Sequence, residues 1–221
     1  MSARALVVLS GGQDSTTCLY WAIDKFGTDA VTSITFDYGQ RHRVELDCAS
    51  KVAEYAGIEN VIIPIDTFAA LGGNALTDDI DVEDETAEGS TLPNTFVPGR
   101  NLVFLTFAAA YAWQRGIDNL VTGVAQTDYS GYPDCRDDAI QSLQQTLQLG
   151  MESSVMIHTP LMNLSKKETV QLAVSLGGID AMSLTHTCYN GERPPCGHCA
   201  ACILRAKGFS EAGIEDPLLR P

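Results

Sequence analysis

Two groups of residues in this sequence are spaced for chemistry. Near the start, Leu9-Ser10-Gly11-Gly12-Gln13-Asp14-Ser15-Thr16 gathers two glycines, three hydroxyls and a carboxylate. Near the end, Cys188, Cys196, Cys199 and Cys202 place four thiols within fifteen residues. The first group suits an anion. Gly11 and Gly12 let the backbone turn sharply and leave room for a ligand to approach. A helix opening at this point offers unpaired N–H groups and a partial positive charge, which fit phosphate. The alternative is an ordinary strand-turn-helix connection in which Ser10 or Asp14 caps the helix. Neither Gly-x-x-x-x-Gly-Lys-Ser/Thr nor Gly-x-Gly-x-x-Gly occurs in the chain, so two familiar phosphate loops are absent.

The second group reads as a metal site. Cys188-x7-Cys196-x2-Cys199-x2-Cys202 can close a tetrahedral zinc centre with no open position for catalysis. Pro194, Pro195 and Gly197 suit a tight knuckle. An iron–sulfur cluster competes, because Cys-x2-Cys-x2-Cys also begins a ferredoxin run. Here no Cys-Pro follows at that spacing, and the fourth Cys lies upstream. In a cytoplasmic chain such a cluster points to metal before disulfides. His186 and His198 are reserve ligands, better read as solvated or hydrogen-bonded histidines. Arg205 and Lys207 follow the last Cys and are expected to balance the thiolate charge. Cys18, Cys48 and Cys135 are scattered and read as small apolar residues.

The elements that must position these groups follow from periodicity. Ala5 to Leu9 is a short apolar run of the kind a buried parallel strand makes. Thr16 to Phe26 has helical spacing and stops at Gly27. Val31 to Phe36, Val61 to Ile65, Asn119 to Val124 and Val155 to His158 are the other expected strands. Val44 to Ala56, Leu102 to Gln114 and Arg136 to Leu149 are expected helices, and Ser165-Lys166-Lys167-Glu168 has the form of a capping box opening one more, to about Leu176. Residues 66–95 are a different kind of stretch, acidic from Asp78 to Glu88, and read as a lid or a solvated surface loop. The alternation predicts an α/β fold: a Rossmann-like parallel sheet with helices on both faces. Ligands then sit at the carboxyl ends of the strands, where the loops after Leu9, Phe36, Val124 and His158 meet.

The chain has 221 residues, 45% of them hydrophobic. That fits one main domain over residues 1–180 and a small metal-binding helical region over 181–221. Net charge is −14 with five lysines, which argues against a large nucleic-acid footprint while leaving room for a small basic pocket. The acidity also fits a salty cytoplasm. No apolar run approaches a membrane span and the amino terminus lacks a signal-peptide pattern. The expectation is a cytoplasmic protein with neither nucleic-acid nor membrane partners.

Ser10-Gly-Gly-Gln-Asp14-Ser15 resembles the pyrophosphate (PP) loop of ATP pyrophosphatases, which cleave ATP to AMP and pyrophosphate. Further motifs stand in order: Phe36-Asp37-Tyr38-Gly39-Gln40-Arg41-His42, Val97-Pro98-Gly99-Arg100-Asn101, Asp128-Tyr129-Ser130-Gly131-Tyr132-Pro133-Asp134-Cys135-Arg136, Leu164 to Thr169, Thr185-His186-Thr187-Cys188 and the cysteine knuckle, ending in Leu204 to Phe209. Together they resemble the 7-cyano-7-deazaguanine synthases, which make the nitrile precursor of queuosine and archaeosine. The resemblance runs from about Ala5 to Phe209 and implies an adenine nucleotide alpha hydrolase-like fold and a homodimer.

The same resemblance implies an ATP-dependent ligase acting on 7-carboxy-7-deazaguanine and ammonia through an acyl-adenylate and an adenylated amide. ATP would lie on Leu9, Ser10, Gly11, Gly12, Gln13, Asp14, Ser15 and Thr16, with Asp37 and Gly123. Asp14 would hold Mg²⁺ beside ATP, with Ser15 in the catalytic loop. Lys166, then Arg100, would stabilise charge on the α-phosphate; otherwise Lys166 is a solvated lysine on a capped turn. A guanine-like ring presents two adjacent N–H donors, which Asp134 or Asp128 could accept. Tyr129 or Tyr132 could stack on the ring, Arg136 could pair with the substrate carboxylate, and Asn101 adds a polar contact. One structural zinc would sit on Cys188, Cys196, Cys199 and Cys202. The alternatives are another PP-loop enzyme, such as a tRNA-thiolating or tRNA-lysidine-forming one, and a nucleotide-sensing domain with a zinc-knuckle interaction module.

Overall fold

The computed structural model describes residues 3–40, 43–78, 80, 92–126 and 132–220. Strands β1 (Ala5–Val8), β2 (Val31–Asp37) and β3 (Asn60–Pro64) lead into helices α1 (Gln13–Phe26), α2 (Val44–Tyr55) and the short α3 (Thr67–Leu71). Helix α4 (Arg100–Trp113) precedes β4 (Asn119–Val121), and α5 (Asp137–Gly150) precedes β5 (Met156–His158). Helices α6 (Lys166–Ser175) and α7 (Ala200–Ala212) complete the order. Of the acidic stretch read as a lid or loop, only Asp78 and Ile80 fall within the described residues.

The five strands form one parallel sheet in the order β3-β2-β1-β4-β5. Alternate side chains of β1 enter opposite cores, as the pleat requires. Ala5, Val7 and Leu9 pack with Leu19 and Ala22 of α1 and Val52 of α2. Leu6 packs with Ile34, Ala108 and Ala112 of α4, and Leu147 of α5. Both faces are therefore covered, which is why the strands read as unbroken apolar runs. The order changes direction between β1 and β4, so the loops after them part and leave a crevice at the carboxyl edge.

Two boundaries differ from expectation for local reasons. Helix α1 starts at Gln13 rather than Thr16, because Gly12 already accepts from Thr16, through N at 3.1 Å and Oγ1 at 2.9 Å. Strand β4 ends at Val121 rather than Val124. Its chain bends at Gly123 towards the start of α1, and Val124 joins a side cluster with Leu105, Ile140 and Met162. The capping box is formed as read: Ser165 Oγ accepts from Glu168 N, and Glu168 accepts from Ser165 N.

The last forty residues are tied back onto the sheet domain. Helix α7 packs on α6 so closely that a Cβ at Gly208 would lie 2.9 Å from Lys166 Cβ. Arg205 is buried and forks onto Asp216, with Nε at 2.6 Å and Nη2 at 2.8 Å from the two carboxylate oxygens. Its Nη1 donates to the hydroxyls of Thr185 (2.7 Å) and Thr187 (3.0 Å). The expectation that Arg205 and Lys207 balance the thiolates is therefore corrected. Arg205 is committed to Asp216, and Lys207 is exposed, 3.9 Å from Glu211. Among the described residues no helix is long and apolar enough to cross a membrane.

Packing at Gly11 gives a stability prediction. Its φ is +82°, and a Cβ there would meet the Glu45 carbonyl oxygen at 2.4 Å and Ala49 N at 2.7 Å. Those are helix backbone atoms that cannot swing aside, so Gly11→Ala should cost about 2–4 kcal/mol in urea denaturation. Gly57→Ala, also at positive φ but in open space, should cost only about 1–2 kcal/mol. Equal losses would show that conformation alone, not packing, sets the requirement at Gly11.

Candidate active site

The turn after β1 is held by its own hydroxyls and by three neighbours. Ser15 Oγ accepts from Ser10 N at 3.1 Å, donates to the Gly12 carbonyl at 3.2 Å and lies 3.0 Å from Ser10 Oγ. Helix α2 presses on Gly11. A Cβ at Gly123 would lie 3.0 Å from both Asp14 C and Ser15 N, so glycine lets the loop after β4 close on the same turn. From the C-terminal side, His186 N donates to the Gly11 carbonyl at 2.9 Å.

The first turn of α1 consequently faces an open cleft of about 300 Å³. Lys166, the first residue of α6, reaches across it, with Nζ 2.6 Å from Asp14 Oδ2. Asp14 Oδ1 and Gln13 Nε2 are buried without hydrogen-bond partners among the described residues. A buried polar atom left so costs about 1–3 kcal/mol, and a ligand that supplies the partner removes that cost. The helix N-terminus suits a phosphate chain. The free Asp14 oxygen is a hard ligand that fits a divalent cation accompanying one.

The cleft also has an aromatic wall that carries both signs of charge. Arg100, first residue of α4, donates from Nη1 to Tyr38 Oη at 3.3 Å. Glu45, on the first turn of α2, lines the same wall, together with Tyr132 and Tyr189. Tyr132 Oη and Thr95 Oγ1 share a 2.7 Å hydrogen bond. Burial pushes the Glu45 carboxyl up to about 7, against the opposing pull of Arg100. Burial likewise pushes Tyr38 up to about 12 and raises Tyr189, so these phenols stay neutral.

The four cysteine sulfurs all lie within 4.8 Å of one another, with Cys196 and Cys202 Sγ 3.9 Å apart. A tetrahedral ion with metal–sulfur bonds of about 2.3 Å sets its sulfurs about 3.8 Å apart, so the group fits a metal such as zinc after small adjustment. Desolvation works against ionisation of Cys196, yet the N–H groups of Cys199 and His198 hold its thiol down at about 6. His186 Nε2 and His198 Nδ1 donate to the carbonyls of Cys188 (2.8 Å) and Cys196 (3.0 Å). Both histidines thus brace the knuckle from outside the sulfur cluster. The knuckle also carries cleft residues: Tyr189 follows Cys188, and Ala201 and Leu204 lie on α7.

Residues 4–213 match the family model described as queuosine biosynthesis protein QueC. The chain belongs to this family. It is 66% identical over 217 residues to the 7-cyano-7-deazaguanine synthase of Chromobacterium violaceum, covering 98% of this chain and 93% of that relative. Identity to the synthase of Laribacter hongkongensis is 65%, with coverage of 98% and 94%. For the synthase of Bacillus subtilis it is 50%, with coverage of 94% of each. A solved structure of a predicted tRNA methyltransferase subunit from Methanocaldococcus jannaschii shares the fold: TM-score 0.50, 21% identity, 78% of this chain and 74% of that chain.

Of the residues singled out in the sequence, Ser10, Gly12, Gln13, Asp14 and Ser15 line the cleft, as do Gly123, Arg100, Asn101, Tyr132 and Lys166. Leu9, Gly11 and Thr16 are buried beneath it. Asp37 sits at the end of β2, ion-paired with Arg43. Asp134 is buried and caps α4, accepting from Asn101 N at 3.0 Å, while Asn101 Nδ2 donates to Cys135 Sγ at 3.2 Å. Arg136 is exposed at the start of α5. Asp128 and Tyr129 lie outside the described residues. Sequence reading passed over Glu45, Tyr38 and Tyr189 as site residues. Tyr38 stands in the Phe36–His42 motif but was given no role; an acid in a first helical turn is ordinary, and a tyrosine between cysteines carries no signal, so nothing in the local pattern marks Glu45 or Tyr189.

The raised Glu45 carboxyl has a consequence for stability. A group raised from 4.5 to about 7 on folding contributes fully below the lower value and loses that contribution as pH rises through the upper. Gln mimics the neutral form. Glu45→Gln should therefore match wild-type melting near pH 4, melt progressively higher than wild type as pH rises, and hold a constant advantage above about pH 8. A pH-independent difference would refute this.

Proposed function

We propose that the chain is an ATP-dependent carbon–nitrogen ligase that converts 7-carboxy-7-deazaguanine and ammonia to 7-cyano-7-deazaguanine, acting in queuosine and archaeosine precursor synthesis. The names of its relatives support the product. One observation carries the chemistry: the loop suited to phosphate, the Asp14–Lys166 pair and the aromatic wall with Arg100 line a single cleft. The net charge of −14 favours a small acid over tRNA as substrate.

The substrate carboxylate attacks the α-phosphate of ATP, forming the acyl-adenylate and expelling pyrophosphate. Backbone N–H groups and hydroxyls from Ser10 to Thr16 receive the departing pyrophosphate. Lys166 offsets charge at the α-phosphate. Ammonia displaces AMP, loses a proton and leaves the amide. The amide oxygen then attacks the α-phosphate of a second ATP at the same place and expels pyrophosphate, and loss of AMP and both amide protons gives the nitrile. The aromatic wall, with Tyr132 and Asn101, holds the ring between the two rounds; Asp128, Tyr129, Asp134 and Arg136 remain candidates for the same task. Mg²⁺, held by Asp14, would neutralise phosphate charge. Asp37 and Gly123 border the nucleotide.

Zinc on the four cysteines is structural in this reading, since four thiolates leave no open position. The segment 181–221 serves as the metal-stabilised wall of the cleft in domain 1–180. Exposed Phe107, Trp113 and Leu149 on α4 and α5 support a homodimer, because apolar surface of this kind is what a second copy covers. The free cysteines are consistent with the cytoplasm.

Two outcomes are expected. Purified protein should carry about one zinc per chain and little iron. Cys199→Ser should lower metal content and melting temperature together, and stoichiometric iron with visible absorbance would sink the assignment. Supplied with the 7-amido compound and ATP, the enzyme should make the nitrile without ammonia, releasing AMP and pyrophosphate. Chromatography and mass spectrometry decide it: ADP as product, or a reaction that stops at the amide, rules out the mechanism.

A further inference from the structure

We infer that Glu45 selects the guanine-type ring: its carboxylate accepts the two adjacent N–H donors of the base edge, while Arg100 beside it donates to the neighbouring ring carbonyl. This assignment builds on the ligase function proposed above and names the residue that sets its ring specificity.

Glu45 and Asp14 are the two carboxylates that line the cleft among the described residues, and Asp14 is engaged by Lys166 at 2.6 Å. Asp134, the alternative acceptor, spends an oxygen on the N-terminus of α4. Glu45 has no such employment. Its side chain makes no hydrogen bond or ion pair with any described residue, and it does not cap α2. Arg100 is close enough to act on its charge, yet no ion pair closes between the two among the described residues. An acceptor pair beside a fork of donors is the complement of the guanine edge, which presents two donors next to one carbonyl. Adenine, with one donor beside a ring acceptor, does not match it. Tyr38, Tyr132 and Tyr189 supply flat apolar surface around the same point.

Position agrees with chemistry. The Glu45 carbonyl oxygen lies 2.4 Å from where a Cβ of Gly11 would be, so the turn bearing Glu45 is packed directly against the phosphate-type loop. A ring gripped at Glu45 by its six-membered edge carries the reacting carboxyl on the five-membered ring, free to meet the α-phosphate. Burial in the cleft wall pushes the carboxyl up to about 7, against the pull of Arg100. Two N–H donors reverse that penalty by favouring the ionised form.

The test uses full-length wild type and Glu45→Gln, assayed with 7-carboxy-7-deazaguanine and with its 2-desamino analogue, with calorimetric binding of each acid and thermal melts alongside. The variant is expected to fold, because it removes a charge and no hydrogen bond. Its KM and dissociation constant for the acid should rise about ten- to a hundred-fold, with kcat and the KM for ATP held. Wild type should prefer the guanine-type acid over the desamino analogue, and the variant should lose that preference. Lowered kcat at unchanged KM would make Glu45 a proton-transfer group and overturn the assignment; so would retained preference, or failure of the variant to fold. Turnover by wild type with equal affinity in the variant would overturn Glu45 and leave the ligase standing. Binding to wild type that the variant loses, with no turnover in either, would overturn the ligase and uphold Glu45. Neither binding nor turnover by wild type would overturn both.

Discussion

Backbone packed on backbone at the loop after β1 is the constraint on which the rest of the cleft depends. At Gly11 the carbonyl of Glu45, and at Gly123 the start of α1, stand where a side chain would have to be. Close approach of this kind fixes distances that flexible side chains cannot fix. It sets Asp14, Glu45 and the loop after β4 in one frame, at the point where the strand order β3-β2-β1-β4-β5 changes direction and a crevice must open.

The polar groups around that frame divide into those that build it and those it leaves available. Asp134 completes the N-terminus of α4, whose own cap, Gly99, has no side chain to offer; this sets the helix turn that carries Arg100. Arg205 and Asp216 form a buried fork. Buried ion pairs add little net stability, but this one also holds Thr185 and Thr187, and so the strand of chain whose His186 braces the phosphate-type loop. Three groups with unused hydrogen-bonding capacity among the described residues line the cleft: Gln13 Nε2, Asp14 Oδ1 and the Glu45 carboxylate. An acidic chain can therefore hold a locally mixed site, since short-range pairing decides the field within it more than net charge does.

The metal-type knuckle acts at a distance from the chemistry. Its sulfurs are grouped tightly, and the segment they fold delivers Tyr189 and the first turns of α7 to the cleft wall. Helix α7 then presses Gly208 against Lys166, so the position of the lysine that meets Asp14 depends on packing more than forty residues further along the chain.

Much of this was legible in the sequence, because it rests on local rules. Apolar runs of four or five residues bounded by turns marked the strands of a sheet covered on both faces. Ser165 and Glu168 marked the start of α6 through a reciprocal cap that spans only three residues. The cysteine spacing marked a metal group, since four soft ligands within fifteen residues can meet without help from the rest of the chain. The Ser-Gly-Gly-Gln-Asp-Ser turn marked a phosphate-type loop. Tertiary structure alone decided which carboxylates are free. Asp134 looked available and is spent on a helix thirty residues upstream; Glu45 looked like an ordinary first-turn acid and lines the cleft without a hydrogen-bond or ion-pair partner among the described residues; Arg205 looked like a counter-charge for thiolates and is locked to Asp216. Residue type and spacing determine what a side chain can do, but its partners come from elements distant in the chain, and pairing determines whether it is free to do it.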